Sequence, residues 1–127
     1  MVIHKYRLSR DQRIAKHSEY QSIYTHGKRT SSDVLRIHAV TTGLDIKPKF
    51  GIAVNKKIGK ASVRNLIKRR LREIFRLHQF QIKPGSQIVI VAKPGCTKLD
   101  YQEMEQMVLR LLQKLKLIIE SETTSVG

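Results

Sequence analysis

The stretch from Lys56 to Arg76 constrains the fold more than any other part of the chain, because it holds nine basic residues and one acid. At about 100° per residue, its apolar and polar side chains separate onto opposite sides of a helix. The apolar side comprises Val63, Leu66, Ile67, Leu71, Ile74 and Phe75, and the polar side comprises Asn65, Lys68, Arg69, Arg72 and Arg76. The pattern predicts a helix over residues 61–77 that packs on a core and exposes a cationic face typical of polyanion binding.

The remaining charge is distributed unevenly over the 127 residues, whose formal net charge is +15. Residues 1–98 carry 22 Lys and Arg against 5 Asp and Glu, whereas residues 99–127 carry 3 against 5. Such a balance favours nucleic acid or an anionic membrane as the partner. We favour nucleic acid because a globular core would bury the apolar side of the basic helix, and because the chain has no Trp to sit at a membrane interface.

Composition and spacing argue against several other classes of protein. With 40% apolar residues, a chain of this length forms one domain around one core. Cys96 is the only cysteine, which excludes an internal disulfide and favours the reducing cytoplasm. We find no apolar run of about 18 residues and no histidine pair at metal-ligand spacing, so neither a membrane span nor a metal site is predicted. We also identify no catalytic set, so any chemistry would belong to another molecule.

Local patterns predict the order helix, two or three strands, helix, strand, helix, which indicates a mixed α/β sandwich with helices against a small sheet. Helices are predicted over residues 18–24, 61–77 and 100–119, and strands over 34–41, 49–55 and 87–92. The first helix would end at Gly27 with a positive φ, and the polar residues 28–33 would form a loop. Residues 1–12 are expected to be a flexible basic arm, 13–120 a single domain, and 121–127 a tail.

Two smaller groups of residues are candidate binding sites. Lys56, Lys57 and Lys60 precede the basic helix, and lysines beside helical N–H groups make an anion site. Tyr20 and Tyr24 share one face of the first helix, and periodicity alone favours a core role for such a pair. The open alternative is a cleft beside the strand residues Arg36 and His38, in which unpaired nucleotides stack on the rings.

The segment from Ala53 to Glu73 resembles the signature of the protein subunit of bacterial ribonuclease P. In that family Ser/Asn-Lys-Lys-x-Gly-x-Ala is followed by Arg-Asn-Arg-x-Lys-Arg. Residues 19–27, residues 88–94 and the Leu-rich final helix also match, so the resemblance spans residues 13–117. One position departs from the pattern, because Leu66 stands where the family has its second arginine. This departure implies one RNA contact fewer and a wider apolar side.

The resemblance implies an α+β fold of order αβββαβα, with a small mixed sheet and a left-handed βαβ crossover, similar to the second domain of a ribosomal protein. It also implies the protein subunit of an endoribonuclease that removes the 5′ leader of precursor tRNA. The catalytic RNA with its Mg²⁺ would hydrolyse the phosphodiester, and the protein would bind RNA and leader and lower the Mg²⁺ requirement. No catalytic residue, membrane or protein partner is expected in this chain.

The family's functional residues map onto named positions here. The RNA-binding set is Lys56, Lys57, Lys60, Arg64, Asn65, Lys68, Arg69 and Arg72, to which the helical pattern adds Arg76. The leader-binding cleft is Tyr20, Tyr24, Arg36 and His38, and the resemblance reverses the core interpretation of the two tyrosines. Two hypotheses compete with this one. They are a structural ribosome-associated protein that binds rRNA without substrate preference, and a nuclease that acts without RNA.

Overall fold

The computed structural model describes residues 7–119, whose helices and strands follow the predicted order αβββαβα. The helices are α1 (His17–His26), α2 (Ala61–His78) and α3 (Tyr101–Lys114), and the strands are β1 (Lys28–Ser31), β2 (Leu35–Thr41), β3 (Lys49–Val54) and β4 (Ser86–Ala92). None of these helices is both long enough and apolar enough to cross a membrane. The predictions for residues 1–6 and 120–127 lie outside the described residues.

The four strands form one mixed sheet in the order β1-β2-β4-β3. β2 pairs antiparallel with β1 and with β4, whereas β3 and β4 are parallel. The central position of β4 explains its continuous apolar run, because both of its faces are covered. Parallel neighbours require a crossover connection, and α2 lies within it. The mixed α+β fold is therefore confirmed, while the left hand of this crossover stays a prediction.

The main core lies between one face of the sheet and the helices α2 and α3. Its buried members include Leu35, Ile37, Ile88 and Ile90 from the sheet, Ile67, Leu71, Ile74 and Phe75 from α2, and Met104, Val108, Leu111 and Leu112 from α3. The helix α1 covers the opposite face, where Ile14, Ile23 and Val89 form a second, smaller cluster. The sheet thus separates the layer that contains α2 from the layer that contains α1.

Residues 28–33 were predicted to be a loop, but they contain the strand β1. Lys28 pairs with Ala39 and Ser31 pairs with Arg36 along the edge of the sheet. Most of this strand is exposed, and an exposed edge strand needs no alternation of apolar residues. The loop prediction was wrong because β1 is held by backbone pairing, and its exposed side chains show no hydrophobic pattern from which a strand could be predicted.

The final helix was predicted to extend over residues 100–119, but α3 ends at Lys114. Lys116 has a φ of 61°, in the left-handed region that interrupts a right-handed helix. Beyond it the chain is extended, since the Lys83 N–H donates to Leu117 O at 2.7 Å and the Ile119 N–H donates to Gln81 O at 2.7 Å. Leu117 is buried in this extended segment, whereas Ile119 is 46% exposed, so the apolar pattern did not mark a continuous buried stripe of a helix.

Two details at the N-terminal side also differ from expectation. Gly27 does cap α1, but with a φ of −81° rather than a positive value. A glycine is needed there because a Cβ atom would lie 2.8 Å from Ala39 O. Gln12 is only 1% exposed, and its Nε2 donates to Pro48 O at 3.2 Å and to Gln79 Oε1 at 3.0 Å. Packing of the domain therefore begins before residue 13, inside the predicted arm.

Candidate nucleic-acid interface

The helix α2 is amphipathic as predicted, and its apolar side anchors it to the sheet. Leu71 is 0% exposed and Ile74 is 1% exposed. Phe75 packs against Phe50 of β3 in a T-shaped arrangement with ring centroids 4.4 Å apart. Leu66, at the position of the missing family arginine, is half-buried at the border of this apolar side. The opposite side of α2 is therefore held in a fixed orientation away from the core.

We name that opposite side the cationic ridge; it consists of Asn65, Lys68, Arg69, Arg72 and Arg76. Asn65, Arg69 and Arg72 are exposed, and Lys68 is half-buried. Within residues 7–119 the ion pairs are Lys49–Glu19 and Arg76–Glu73, and Glu105 contacts the His78 imidazole. Carboxylates of the described residues therefore neutralise only Arg76 among the cations of the ridge.

The pairing of Arg76 sets it apart from the rest of the cationic ridge. Its Nε donates to Glu73 Oε1 at 2.9 Å. This hydrogen bond lowers the pKa of Glu73, and it raises the pKa of Arg76. Because its charge is already balanced, Arg76 is the member of the ridge that is least available to an external anion.

The lysine loop, defined as Lys56, Lys57 and Lys60, precedes the ridge, and all three lysines are exposed. The Asn55 side chain accepts a hydrogen bond of 2.8 Å from the Lys57 N–H and so begins a short 3-10 turn. The Arg64 Nε donates to Gly59 O at 3.2 Å, so Arg64 ties the helix to the loop. The loop and the ridge therefore form one continuous positive surface, with Arg64 at the junction.

The second predicted set, Tyr20, Tyr24, Arg36 and His38, comes together on the opposite face of the sheet; we name it the aromatic cleft. The rings of Tyr20 and Tyr24 lie 6.4 Å apart, and Tyr24 meets His38 edge-on at 4.8 Å. The Arg36 Nε donates to His38 Nε2 at 2.8 Å. His38 is only 5% exposed, so it supports Tyr24 and Arg36 from below and offers no open ring surface.

The local environment keeps the imidazole and both phenols of the aromatic cleft neutral. Burial lowers the pKa of His38, and the neighbouring Arg36 and Arg29 lower it further. The imidazole is therefore neutral near pH 7, as its acceptance of the Arg36 hydrogen bond requires. Burial raises the pKa values of Tyr20 and Tyr24, so both phenols stay protonated. Neutral rings between arginine side chains suit the stacking of bases beside phosphates.

The aromatic cleft and the cationic ridge meet across the edge strand β3. A cavity of about 90 Å³ lies between α1, β3 and α2, and its lining includes Arg13, Tyr20, Gly51, Lys68 and Arg72. Gly51 permits the approach, because a Cβ atom there would lie 2.6 Å from the Tyr20 hydroxyl oxygen. The glycine therefore lets the Tyr20 side chain pack directly on the backbone of β3. The sequence analysis did not predict Arg13 as a site residue. Arg13 reaches this cavity because it forms an isolated β-bridge with Phe50.

Other chemically active groups do not gather into a site within residues 7–119. This range contains no group of three or more His, Cys, Asp and Glu residues that could hold a metal ion. Cys96 is 0% exposed, and burial raises the pKa of its thiol. A buried, protonated thiol is a packing residue. The chemistry that the described surface supports is therefore recognition of a polyanion.

This chain is similar to proteins of one known family. The family model for ribonuclease P matches residues 8–116. A ribonuclease P protein component from Syntrophomonas wolfei is 40% identical over 107 residues, which cover 84% of this chain and 89% of the relative. The corresponding protein from Alkaliphilus metalliredigens is 33% identical over 106 residues, which cover 84% and 95%.

Solved structures of such proteins share the fold. The RNase P protein of Staphylococcus aureus superposes with a TM-score of 0.77 at 27% identity, covering 84% of this chain and 97% of that one. The RNase P protein of Thermotoga maritima superposes with a TM-score of 0.73 at 28% identity, covering 86% and 98%. The likeness therefore extends over most of the chain and is not limited to one motif.

Proposed function

The chain belongs to the family of bacterial ribonuclease P protein components, and from that premise we propose that it grips the ribonuclease P RNA and the 5′ leader of precursor tRNA. The cationic ridge and the lysine loop bind the RNA subunit, and the aromatic cleft binds the leader. The RNA subunit with its Mg²⁺ hydrolyses the phosphodiester. The cytoplasm, where tRNA precursors are processed, is the proposed location, and no further protein is required.

The observation that carries this proposal is that three of the four cations of the cationic ridge have no carboxylate partner among residues 7–119. The charges of Lys68, Arg69 and Arg72 are unpaired by any carboxylate of residues 7–119. Like charges at helical spacing disfavour a helix by a few tenths of a kcal/mol per pair, roughly. An arrangement with this cost is expected where an external polyanion supplies the counter-charge, and phosphates release bound counterions when they meet such cations.

The aromatic cleft would add preference for the precursor over the mature tRNA. Tyr20 and Tyr24 offer adjacent rings on which unpaired bases can stack, which contributes about 1–3 kcal/mol per base. The cavity beside Tyr20 also reaches Lys68 and Arg72, so a strand bound in the cleft would meet the ridge with its phosphates. Mature tRNA lacks the leader and would gain nothing from the cleft.

The same positive surface would reduce the Mg²⁺ that the RNA enzyme needs. Mg²⁺ neutralises crowded phosphates, and lysine and arginine side chains do the same at fixed positions. The protein would therefore matter most at low Mg²⁺ concentration, where the RNA alone cannot hold its substrate. The metal ions would be bound mainly by RNA.

Reconstitution with a ribonuclease P RNA at low Mg²⁺ tests the proposal. Processing of precursor tRNA should require this chain, and the chain alone should cleave nothing. Replacing Tyr20 and Tyr24 with Ala should weaken precursor binding while RNA-subunit binding is kept. The matched control replaces both with Phe, which keeps the rings and should preserve most of the affinity.

Two results would contradict this proposal. Equal binding of precursor and mature tRNA by the unmodified complex would support the structural ribosome-associated protein instead. Cleavage by the purified chain without RNA, lost when a carboxylate is replaced, would support the nuclease that acts alone.

A further inference from the structure

A second basic surface lies away from the cationic ridge and the aromatic cleft. Lys28, Lys83 and Lys116 line a groove of about 490 Å³, together with His26 and an apolar floor that includes Leu117. We name this surface the basic groove. Its lysines come from three separate parts of the chain, namely the start of β1, the turn before β4 and the segment after α3. All three lysines are exposed.

The backbone at Lys116 is held in a fixed conformation beside the groove. Among residues 7–119, Lys116 is the one non-glycine residue with a positive φ, at 61°. Such a conformation is strained for a residue with a side chain, and persists where surrounding contacts hold it. The hydrogen bond from the Lys83 N–H to Leu117 O, at 2.7 Å, is one such contact. The same contact therefore brings two of the lysines to the groove.

No carboxylate within residues 7–119 forms an ion pair with the lysines of the groove. The residues that line the groove also include no Asp or Glu. The C-terminal ends of α1 and α3 lie at this groove, and helix C-termini favour nearby cations. The fold can thus hold three lysines together while leaving their ammonium groups available to an anion from outside.

The position of the groove separates it from the surfaces already described. It lies at β1 and the end of β2, whereas the lysine loop and the N-terminal end of the ridge follow the far end of β3, at the other edge of the sheet. We propose that the basic groove binds the phosphodiester backbone of a second RNA segment in the ribonucleoprotein. This inference rests on the proposed function, because the RNA is the same partner. Lysine contacts to phosphate make it independent of base sequence.

Protection of lysines from acetylation tests the groove and the ridge separately. The full chain is acetylated with an N-hydroxysuccinimide ester, with and without a ribonuclease P RNA transcript, and each lysine is quantified by mass spectrometry. We expect the RNA to protect Lys28, Lys83 and Lys116 at least threefold, while the exposed Lys98 remains reactive. Protection of the lysine loop and Lys68 reports on the proposed function in the same sample.

Each outcome of this experiment decides the inference. Protection of the ridge without protection of the groove overturns the inference and leaves the proposed function intact. Protection of the groove without the ridge supports the inference and contradicts the assignment of the ridge. Protection of neither group overturns both, and groove protection by an acidic peptide but not by RNA overturns the choice of RNA.

Lysine variants test the same inference through the salt dependence of RNA binding. Changing Lys28, Lys83 and Lys116 together to Gln should lower the log–log salt slope of RNA binding by about 2–3, since each phosphate contact contributes about 0.7–0.9. The matched control changes the exposed Lys47, Lys98 and Arg110 to Gln, which removes the same charge elsewhere. An equal change of slope in both triple variants would show a general charge effect and overturn the inference.

Discussion

Replacing Gly51 with Ala should disturb the aromatic cleft through a single contact. A Cβ atom at this position would lie 2.6 Å from the Tyr20 hydroxyl oxygen, 2.8 Å from its Cζ and 3.0 Å from its Cε1. Ordinary contact needs roughly 3.5 Å between such atoms, so the Tyr20 ring must move by about 1 Å. The movement shifts Tyr20 relative to Tyr24 and to the cavity shared with the cationic ridge.

The expected change in stability is the sum of two opposing effects. Overpacking of a fitted contact costs about 1–3 kcal/mol. Removing a glycine from a strand stabilises the folded state by about 0.5–1 kcal/mol, because the unfolded chain loses freedom. Gly51→Ala should therefore lower the free energy of unfolding by up to about 2.5 kcal/mol. In a Tyr20→Ala background the clash is absent, so the same substitution should stabilise the protein slightly.

Urea denaturation of the two single variants and the double variant forms a double-mutant cycle. Precursor and mature tRNA binding by the reconstituted complex gives the functional measurement. We expect Gly51→Ala to weaken precursor binding and to spare binding of the RNA subunit. If Gly51→Ala is equally destabilising with and without the Tyr20 ring, the contact does not cause the effect and our reasoning is wrong.

Three further predictions address the ridge, the buried histidine and the core. Changing Lys68 or Arg72 to Gln should each lower the log–log salt slope of RNA binding by about 0.7–0.9, whereas Arg76→Gln should lower it less, because Glu73 already balances that charge. Burial and two arginines hold the pKa of His38 below its ordinary value of 6.5. Below about pH 6.5 the unfolded chain therefore binds more protons than the folded chain, so the free energy of unfolding should fall as the pH drops. His38→Gln should weaken this pH dependence in urea titrations at several pH values. Leu71→Ala, at a site 0% exposed, should lower the free energy of unfolding by about 2–5 kcal/mol in the same assay.

The features that could be predicted from sequence are those that depend on local periodicity. The apolar and charged sides of α2 are both encoded in one continuous segment, so the side on which each residue lies follows from its position in the helical repeat. The central strand β4 is similarly visible, because burial on both faces leaves an uninterrupted apolar run. Both α2 and β4 could therefore be predicted without knowing which elements pack against them.

Other features depend on partners that are distant in the sequence. The strand β1 forms by backbone pairing with β2, and polar side chains do not record such pairing. The end of α3 depends on the extended pairing near Lys83, which overrides an apolar pattern that still suggests a helix. Arg13 reaches the cavity beside Tyr20 only because the chain bridges to β3. Tertiary contacts therefore determine the strand β1, the end of α3 and the position of Arg13, and local sequence patterns do not record such contacts.

The unequal division of the two apolar clusters has a consequence for how the cleft responds to its ligand. Ile14, Ile23 and Val89 hold α1 against the sheet, whereas a much larger cluster anchors α2. Elements with little buried area open at lower free energy than the rest of a protein. If the aromatic cleft binds the leader as proposed, small displacements of α1 against the sheet would admit leaders of different bulk, while α2 would keep its position on the larger cluster.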